Sequence, residues 1–188
     1  MPVRFRIIFS AITFLILLSV GSAARADQND DRLPALFDIL RTAASPDHAR
    51  QIEGQIWLIW SQLPEDEATA EIFQNGVSKL TQRAFAEALD AFDQVTKRAP
   101  DFAEGWNKRA TVLFLMQDFE RSITDVERTL ALEPRHFGAL SGLGLIYLNL
   151  DRPKDALLAF EQALEIHPML PARLEIDGLR EQLKGQKL

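Results

Sequence analysis

The three histidines are the side chains in this sequence best suited to metal binding or to proton transfer near neutral pH. They are His48, His136 and His167, and none is followed three or four positions later by a second ligand, the spacing that metal sites on helices use. Cysteine is absent, which excludes disulfide bonds and thiolate chemistry. We therefore predict no catalytic residue, no metal site and no bound cofactor.

Two further patterns could suggest chemistry, but their contexts do not support it. Gly142 and Gly144 have the spacing of a phosphate-binding loop, yet no strand precedes them and no glycine-rich loop surrounds them. The 27 acidic residues form no pocket that the sequence reveals, so we expect them on solvated helix faces. Because only 21 residues are basic and none of them cluster in a run, the charge argues against nucleic-acid binding.

The first 26 residues follow the order of a secretory signal peptide. Arg4 and Arg6 come first, an uncharged apolar run extends from Ile7 to Val20, and small residues lead to Ala26. The apolar run has 14 residues, fewer than the roughly 20 that span a bilayer. We predict cleavage after Ala26 and export, and the alternative is an uncleaved segment that anchors the protein to the inner membrane.

The elements that would have to position any site are repeated along the chain. Three segments share their length, their apolar spacing and a final proline: "EALDAFDQVTKRAP" (87–100), "RSITDVERTLALEP" (121–134) and "DALLAFEQALEIHP" (155–168). Pro100, Pro134 and Pro168 are 34 residues apart, a period typical of stacked repeats. Because proline cannot continue a helix, each segment predicts the second helix of a helix–turn–helix unit.

The third unit is the clearest of the three. Its apolar and small positions are Leu140, Leu143, Gly144, Tyr147, Ala156, Phe160 and Pro168. This pattern resembles the tetratricopeptide repeat, in which W-x2-L-G-x2-Y is followed by A-x3-F and by P, with Leu140 in place of the tryptophan. The second unit departs from the pattern at Arg109, where an apolar residue is usual, and the first departs at Asn75 and Lys79.

The resemblance implies an all-α fold, a right-handed superhelical array of antiparallel helix pairs. Small residues should lie where the two helices of a pair approach most closely, and large ones should fill the space between units. The small positions are Gly76, Ala110 and Gly144 on the first helices and Ala88, Ser122 and Ala156 on the second; the large ones are Phe92, Val126 and Phe160. We expect Gly144 to lie near Ala156.

The remaining segments are predicted to flank the repeats. We divide the chain into a signal peptide (1–26), a linker (27–32), an N-terminal helical pair (33–66), three repeats (69–102, 103–136 and 137–170) and a C-terminal capping helix with its tail (171–188). The N-terminal pair is either a degenerate fourth repeat or an unrelated hairpin that caps the array. Its Trp57 and Trp60 are expected to be packing residues, and the capping helix should bury Leu174, Leu179 and Leu183.

By the same resemblance, the first helices line a concave surface, hereafter the groove, that holds a peptide or a partner helix. The implied groove positions are Phe73, Val77, Leu80, Asn107, Thr111, Phe114, Leu115, Ser141, Leu145, Leu148 and Asn149. Some members of the family hold a partner's carboxylate with basic residues and asparagine, and the matching places here are Gly138, Gly142, Phe73 and Val77, so we expect no such clamp. The alternative is that terminal helices fold over the groove and make it ordinary core.

These expectations lead to two functional hypotheses. The first is a non-enzymatic adaptor, similar to exported periplasmic tetratricopeptide proteins of bacteria, that binds an apolar or amphipathic segment of a cell-envelope protein. The second is a fixed accessory subunit of an envelope assembly, with its groove permanently filled. The partner is a protein or peptide in both, and contact with a membrane is expected only through an uncleaved N-terminal segment.

Overall fold

The computed structural model describes residues 27–62 and 66–184, and the predicted signal peptide lies outside them. The described residues form a short 3-10 turn at Asp27–Asn29 and nine α-helices: α1 Leu33–Arg41, α2 Pro46–Trp60, α3 Glu67–Thr81, α4 Phe85–Arg98, α5 Ala103–Leu115, α6 Phe119–Leu132, α7 Phe137–Asn149, α8 Pro153–Ile166 and α9 Arg173–Lys184. The predicted all-α array of helix pairs is confirmed. Within these two ranges we find no helix with the length and apolar character needed to cross a bilayer.

Helices α3 to α8 form three antiparallel pairs, and polar side chains fix where several of them begin. Asp66 caps α3 by accepting a hydrogen bond from the Thr69 amide, and Asp118 caps α6 in the same way. His136 caps α7, because its ring accepts a hydrogen bond from the Ala139 amide at 3.0 Å. The caps satisfy amide groups that a helix leaves unpaired at its N-terminus.

The turn inside each repeat depends on one residue in the left-handed conformation. Arg83, Gln117 and Asp151 have φ angles of 61°, 63° and 54° and lie 34 residues apart. Such angles are costly for residues other than glycine, and they let the chain reverse within a few residues. The repeat period seen in the sequence therefore extends to the backbone of the turns.

The packing inside the pairs follows the predicted alternation of small and large residues. A Cβ atom on Gly76 would come within 2.8 Å of the Phe92 ring, and one on Gly144 would overlap the Phe160 ring. The atoms nearest to Gly144 in this respect belong to Phe160, one helical turn beyond Ala156 on the same helix. In the second repeat, the Ser122 hydroxyl donates to the Ala110 carbonyl at 2.8 Å, so a small polar residue serves at the same position.

Arg109, the off-pattern residue of the second repeat, connects three helices. Its guanidinium donates two hydrogen bonds of 2.7 Å to the carboxylate of buried Asp125 on α6. It also donates to Asp93 at 3.0 Å and to Thr96 at 3.1 Å, both on α4. An ionic contact therefore joins the first two repeats where the repeat pattern has an apolar side chain.

The N-terminal pair packs on the third repeat. Helices α1 and α2 share a buried core that includes Phe137 at the start of α7, and Ile166 and Leu170 pack against that core. Two contacts reach the turns between repeats: Gln28 donates to the Asp101 carbonyl at 2.7 Å, and the Arg135 guanidinium lies 4.4 Å from the Phe37 ring centre. The pair thus lies along the edge where successive repeats are connected.

Helix α9 covers the exposed end of the third repeat. Ile176 and Leu179 are buried against Phe160 and Ala156 of α8. The prediction that Leu174 contributes to this face is wrong, since Leu174 is 78% exposed. The buried positions begin two residues later than expected, because Ile176 and not Leu174 shares the helical face of Leu179.

Candidate partner-binding groove

Helix α2 lies over the part of the groove formed by the N-terminal halves of α5 and α7. The Trp57 ring contacts Gly138 on α7, where a Cβ atom would come within 2.8 Å of the indole. The Lys108 ammonium of α5 lies 5.6 Å from the same ring. Gly138 and Lys108 are on the first helices of two successive repeats, so α2 bridges both.

A buried polar cluster lies beneath α2. The Trp60 ring stacks on His136 with 4.2 Å between ring centres, and His136 Nε2 lies 3.2 Å from a carboxylate oxygen of Glu104. Because Nδ1 of His136 accepts the Ala139 amide, Nε2 carries the proton of the neutral ring and donates to Glu104. Glu104 also accepts from Asn107 at 2.9 Å and pairs with Lys108 at 2.8 Å.

The charge of Glu104 is compensated inside this cluster. Burial by itself would raise the pKa of the carboxyl, but the hydrogen bond from His136 and the charge of Lys108 outweigh that effect. The pKa of Glu104 is consequently held below its ordinary value. Glu104 lies in the first turn of α5, and His136 immediately precedes α7. The hydrogen bond between them therefore fixes the N-terminal ends of these two helices relative to each other.

His167 forms a second polar contact between α2 and the array. Its Nε2 lies 3.3 Å from a carboxylate oxygen of Glu53, and the other oxygen of Glu53 accepts from the Trp57 indole at 3.2 Å. His136 and His167 therefore position the N-terminal pair, whereas His48 is exposed. Within the described ranges we find no cluster of histidine and carboxylate groups that could hold a metal ion.

The part of the groove formed by the C-terminal halves of α5 and α7, hereafter its open half, is accessible to solvent. Leu115 and Leu145 are each 42% exposed, and Thr111 and Asn149 are exposed as well. Thr111 and Asn149 bond to carbonyls of their own helices, at Asn107 and Leu145. The accessible surface is thus mainly apolar, with two polar side chains at its margins.

Other predicted groove residues are packed within the array. Phe73 is 4% exposed and lies edge-on to Phe92 and Phe102, so it belongs to the core. Asn107 is buried in the Glu104 cluster. The remaining apolar positions are partly buried and pack against helix neighbours: Val77, Leu80, Phe114 and Leu148.

Ser141 lies in a cavity of about 320 Å³ at the boundary between the covered and open parts of the groove. Gly138, Ser141 and Leu145 of α7 form one side, Glu53 and Trp57 of α2 form another, and Leu170 to Ala172 with Glu175 close the third. The Ser141 Oγ atom is buried and has no hydrogen-bond partner among the described residues. This cavity offers a partner enclosed apolar surface from Trp57, Leu145 and Leu170.

Sequence reasoning did not find the contributions of Glu53 and Glu175 to this site. The one signal near them is Gly138, which has no side chain and so leaves space beside α7. A tryptophan from a neighbouring helix could occupy that space. Nothing in the sequence shows that this tryptophan is Trp57.

Comparison with known proteins places the array among repeat proteins. A family model described as tetratricopeptide repeat matches residues 73–116 and 107–171. A TPR repeat-containing protein of Rhizobium etli is 36% identical over 158 residues, which cover 83% of this chain and 76% of that protein. The small glutamine-rich tetratricopeptide repeat-containing protein 2 of Saccharomyces cerevisiae is 23% identical over 142 residues, covering 70% of this chain and 39% of that protein.

Solved structures show the same fold. The first TPR of Spaghetti (RPAP3), bound to an HSP90 peptide, superposes with a TM-score of 0.60 at 21% identity and covers 62% of this chain and 94% of that one. The crystal structure of MamA gives a TM-score of 0.60 at 18% identity, with 79% of this chain and 84% of that one covered. At these identities the likeness concerns the fold alone.

Proposed function

The chain belongs to the tetratricopeptide repeat family, and from that premise we propose that it is a non-enzymatic adaptor of the bacterial periplasm. The predicted family is thereby confirmed, and domains of this family are protein–protein interaction modules. The bacterial relative in Rhizobium etli supports a bacterial setting. Export is inferred from the order of residues 1–26, which lie outside the described residues.

The proposed binding surface is the open half of the groove. One observation supports it above the others: Leu115 and Leu145 are large, apolar and 42% exposed on the inner helices, and Leu145 lines an apolar cavity. Exposed apolar residues that adjoin a cavity are typical of partner sites. Because α2 covers the other half, we expect a short apolar or amphipathic segment and not a peptide that runs the full length of the groove.

Crosslinking tests this proposal directly. A photoreactive amino acid at Leu145 should crosslink to a specific protein in native cells, whereas the same amino acid at Leu158 should not. Leu158 is the matched control, since it is also a leucine, is 56% exposed and lies on the second helix of the same repeat. Equal crosslinking at both positions, or none at Leu145, would refute the groove.

A substitution provides the second arm of the test. Leu145→Glu should abolish copurification of the partner that crosslinking identifies, while changing the melting temperature little, because an exposed position tolerates a polar residue. Leu158→Glu should change neither the copurification of the partner nor the melting temperature. Phe114 and Leu148 are unsuitable probes, since a charge at these partly buried positions would disturb the packing around Phe119 and Leu157.

The second hypothesis, a fixed subunit, is favoured by a separate observation. Ile39 and Leu58 on the outer face of the N-terminal pair are exposed, and Leu58 is 73% accessible. A permanent partner on that face would leave the isolated protein prone to association. Light scattering of the purified protein distinguishes the two: the adaptor should be monomeric, and the subunit should self-associate.

Mass measurement of the exported protein tests the proposed location. Cleavage after Ala26 gives a mature chain that begins at Asp27. A mature chain that retains Met1 would support the alternative, an adaptor anchored to the inner membrane.

A further inference from the structure

We propose that the cavity between Trp57, Leu145 and Glu175 receives an apolar side chain from a partner segment that carries lysine or arginine beside it. This inference rests on the proposed function, because it specifies the partner of the same groove. The shape of the cavity and the charges on its lining both contribute to it.

The cavity has the size and surface of an anchor pocket. Its volume of about 320 Å³ is at the lower end of the range of ligand pockets. Trp57, Leu145 and Leu170 provide apolar surface on different sides. A single leucine, methionine or phenylalanine of a partner would bury its side chain there, and anchors of this kind account for much of the affinity of peptide interfaces.

Ser141 lines the cavity, but its hydroxyl does not face the open space. Its Oγ is buried and has no hydrogen-bond partner among the described residues, although a buried hydroxyl is normally paired. The contact with a partner is therefore made by the apolar lining and by the carboxylates at its edge.

The charges on the lining select the sign of the partner. Glu53 and Glu175 are the charged side chains that line the cavity, and both are acids. Glu53 is held by Trp57 and His167, whereas Glu175 is exposed and forms no ion pair within the described ranges. Lys108, whose ammonium lies 5.6 Å from the Trp57 ring, is paired with Glu104 at 2.8 Å.

A basic residue next to the anchor would therefore be attracted to Glu175, and an acidic one would be repelled. This preference is opposite to that of a groove that binds acidic peptide ends, and it agrees with the two glycines, Gly138 and Gly142, at places where a carboxylate clamp would need basic residues. The open groove is thus suited to a cationic amphipathic segment.

The test compares two labelled synthetic peptides with the full-length protein by fluorescence anisotropy. The peptides have identical leucine and phenylalanine positions, and one carries lysines where the other carries glutamates. The lysine peptide should bind at least about tenfold more tightly at low salt, and added salt should weaken its binding. Ala172→Phe, which places a ring at the rim of the cavity, should reduce its affinity about tenfold by excluding the anchor.

A charge reversal isolates the role of Glu175. Glu175→Lys should weaken binding of the lysine peptide about three- to tenfold. Glu127→Lys makes the same change of net charge at an exposed position on α6 and should leave binding unchanged. Melting curves of both variants check that the fold is retained.

The proposal is overturned if neither peptide binds, if the glutamate peptide binds as tightly as the lysine peptide, or if Glu175→Lys has no more effect than Glu127→Lys. In those cases the groove function still holds if crosslinking at Leu145 remains specific and Leu145→Glu abolishes copurification of the crosslinked partner. Loss of that crosslinking pattern refutes the proposed function itself, so the two failures are distinguishable.

Discussion

The indole ring of Trp57 lies directly against the backbone of Gly138, where a Cβ atom would come within 2.8 Å of Cη2 and 3.0 Å of Cζ2. The N-terminal pair can approach α7 this closely because residue 138 has no side chain. The centre of the Trp57 ring also lies 5.5 Å from that of His136 and 5.6 Å from that of Phe137. The ring therefore has little room to move aside.

Gly138→Ala should lower the melting temperature. The added methyl group overlaps the Trp57 ring, and overpacking of this kind costs about 1–3 kcal/mol of unfolding free energy. Gly142→Ala is the matched control on the same helix, since nothing lies within 4 Å of a Cβ atom there. That variant should be more stable by up to about 1 kcal/mol, because alanine favours the helix over glycine. A Gly138→Ala protein as stable as Gly142→Ala would show that α2 does not pack on α7.

The repeats could be predicted from the sequence because their packing is local. Each pair needs a small residue against a large one at a fixed spacing, as Gly76 and Phe92 or Gly144 and Phe160 illustrate. The three helix pairs could therefore be placed to within a few residues. Phe73 shows the limit, since its position in the repeat implies the groove but its neighbours Phe92 and Phe102 draw it into the core.

The location of the N-terminal pair could not be predicted, because its apolar face would fit any large apolar surface. The pattern of Leu33, Phe37 and Leu40 shows that the pair must be covered, and it does not show by what. The decisive contacts join residues far apart in sequence, such as His167 with Glu53, which are separated by 114 positions. The sequence consequently predicted a groove that is either open or covered. In the structure, α2 covers one part of it, and the part around Leu115 and Leu145 is open.

Gln117→Gly should raise the stability of the protein. Gln117 has a φ angle of 63°, which costs a side-chain-bearing residue about 1–2 kcal/mol relative to the right-handed conformation. Glycine avoids this cost but loses more freedom on folding, so we expect a net gain of about 0.5–1 kcal/mol. Gln117→Ala retains the unfavourable angle and should give no gain. Thermal melting of the two variants checks the prediction, and a less stable glycine variant would contradict it.

Glu104→Gln should reduce stability in a way that depends on pH. The pKa of Glu104 is lowered in the folded protein, so its ionised form stabilises the fold at pH values above the unfolded pKa of about 4.3. That contribution is lost as the pH falls through the lower pKa of the folded state. The variant should be about 1–3 kcal/mol less stable than wild type at pH 7, and the difference should shrink below about pH 4. Chemical unfolding at both pH values measures it, and a difference independent of pH would contradict the role of the charge.

The ion pair formed by Arg109 and Asp125 can be tested by replacing Arg109 with the apolar residue that is usual at this position of the repeat. We expect this change to lower the free energy of unfolding of this protein. Burial raises the pKa of Asp125 even though the hydrogen bonds from Arg109 oppose the shift, so the carboxylate depends on its partner at neutral pH. Arg109→Leu should cost about 3–5 kcal/mol at pH 7, because it leaves a buried charge uncompensated. Its deficit should lessen as the pH falls, since protonation of Asp125 removes that charge.

The double variant Arg109→Leu with Asp125→Leu should recover most of the loss, because two apolar residues of similar size replace the pair without leaving either charge unpaired. Arg121→Leu serves as the control: its partner Asp118 is 37% exposed and the arginine side chain 54% exposed, so the change should cost less than about 1 kcal/mol. Unfolding free energies of Arg109→Leu, Asp125→Leu, the double variant and wild type complete the cycle, with Arg121→Leu measured beside them. A double variant as unstable as Arg109→Leu alone would mean that Arg109 acts through Asp93, Thr96 or Trp106 on the α4 and α5 side, and not through the charge of Asp125.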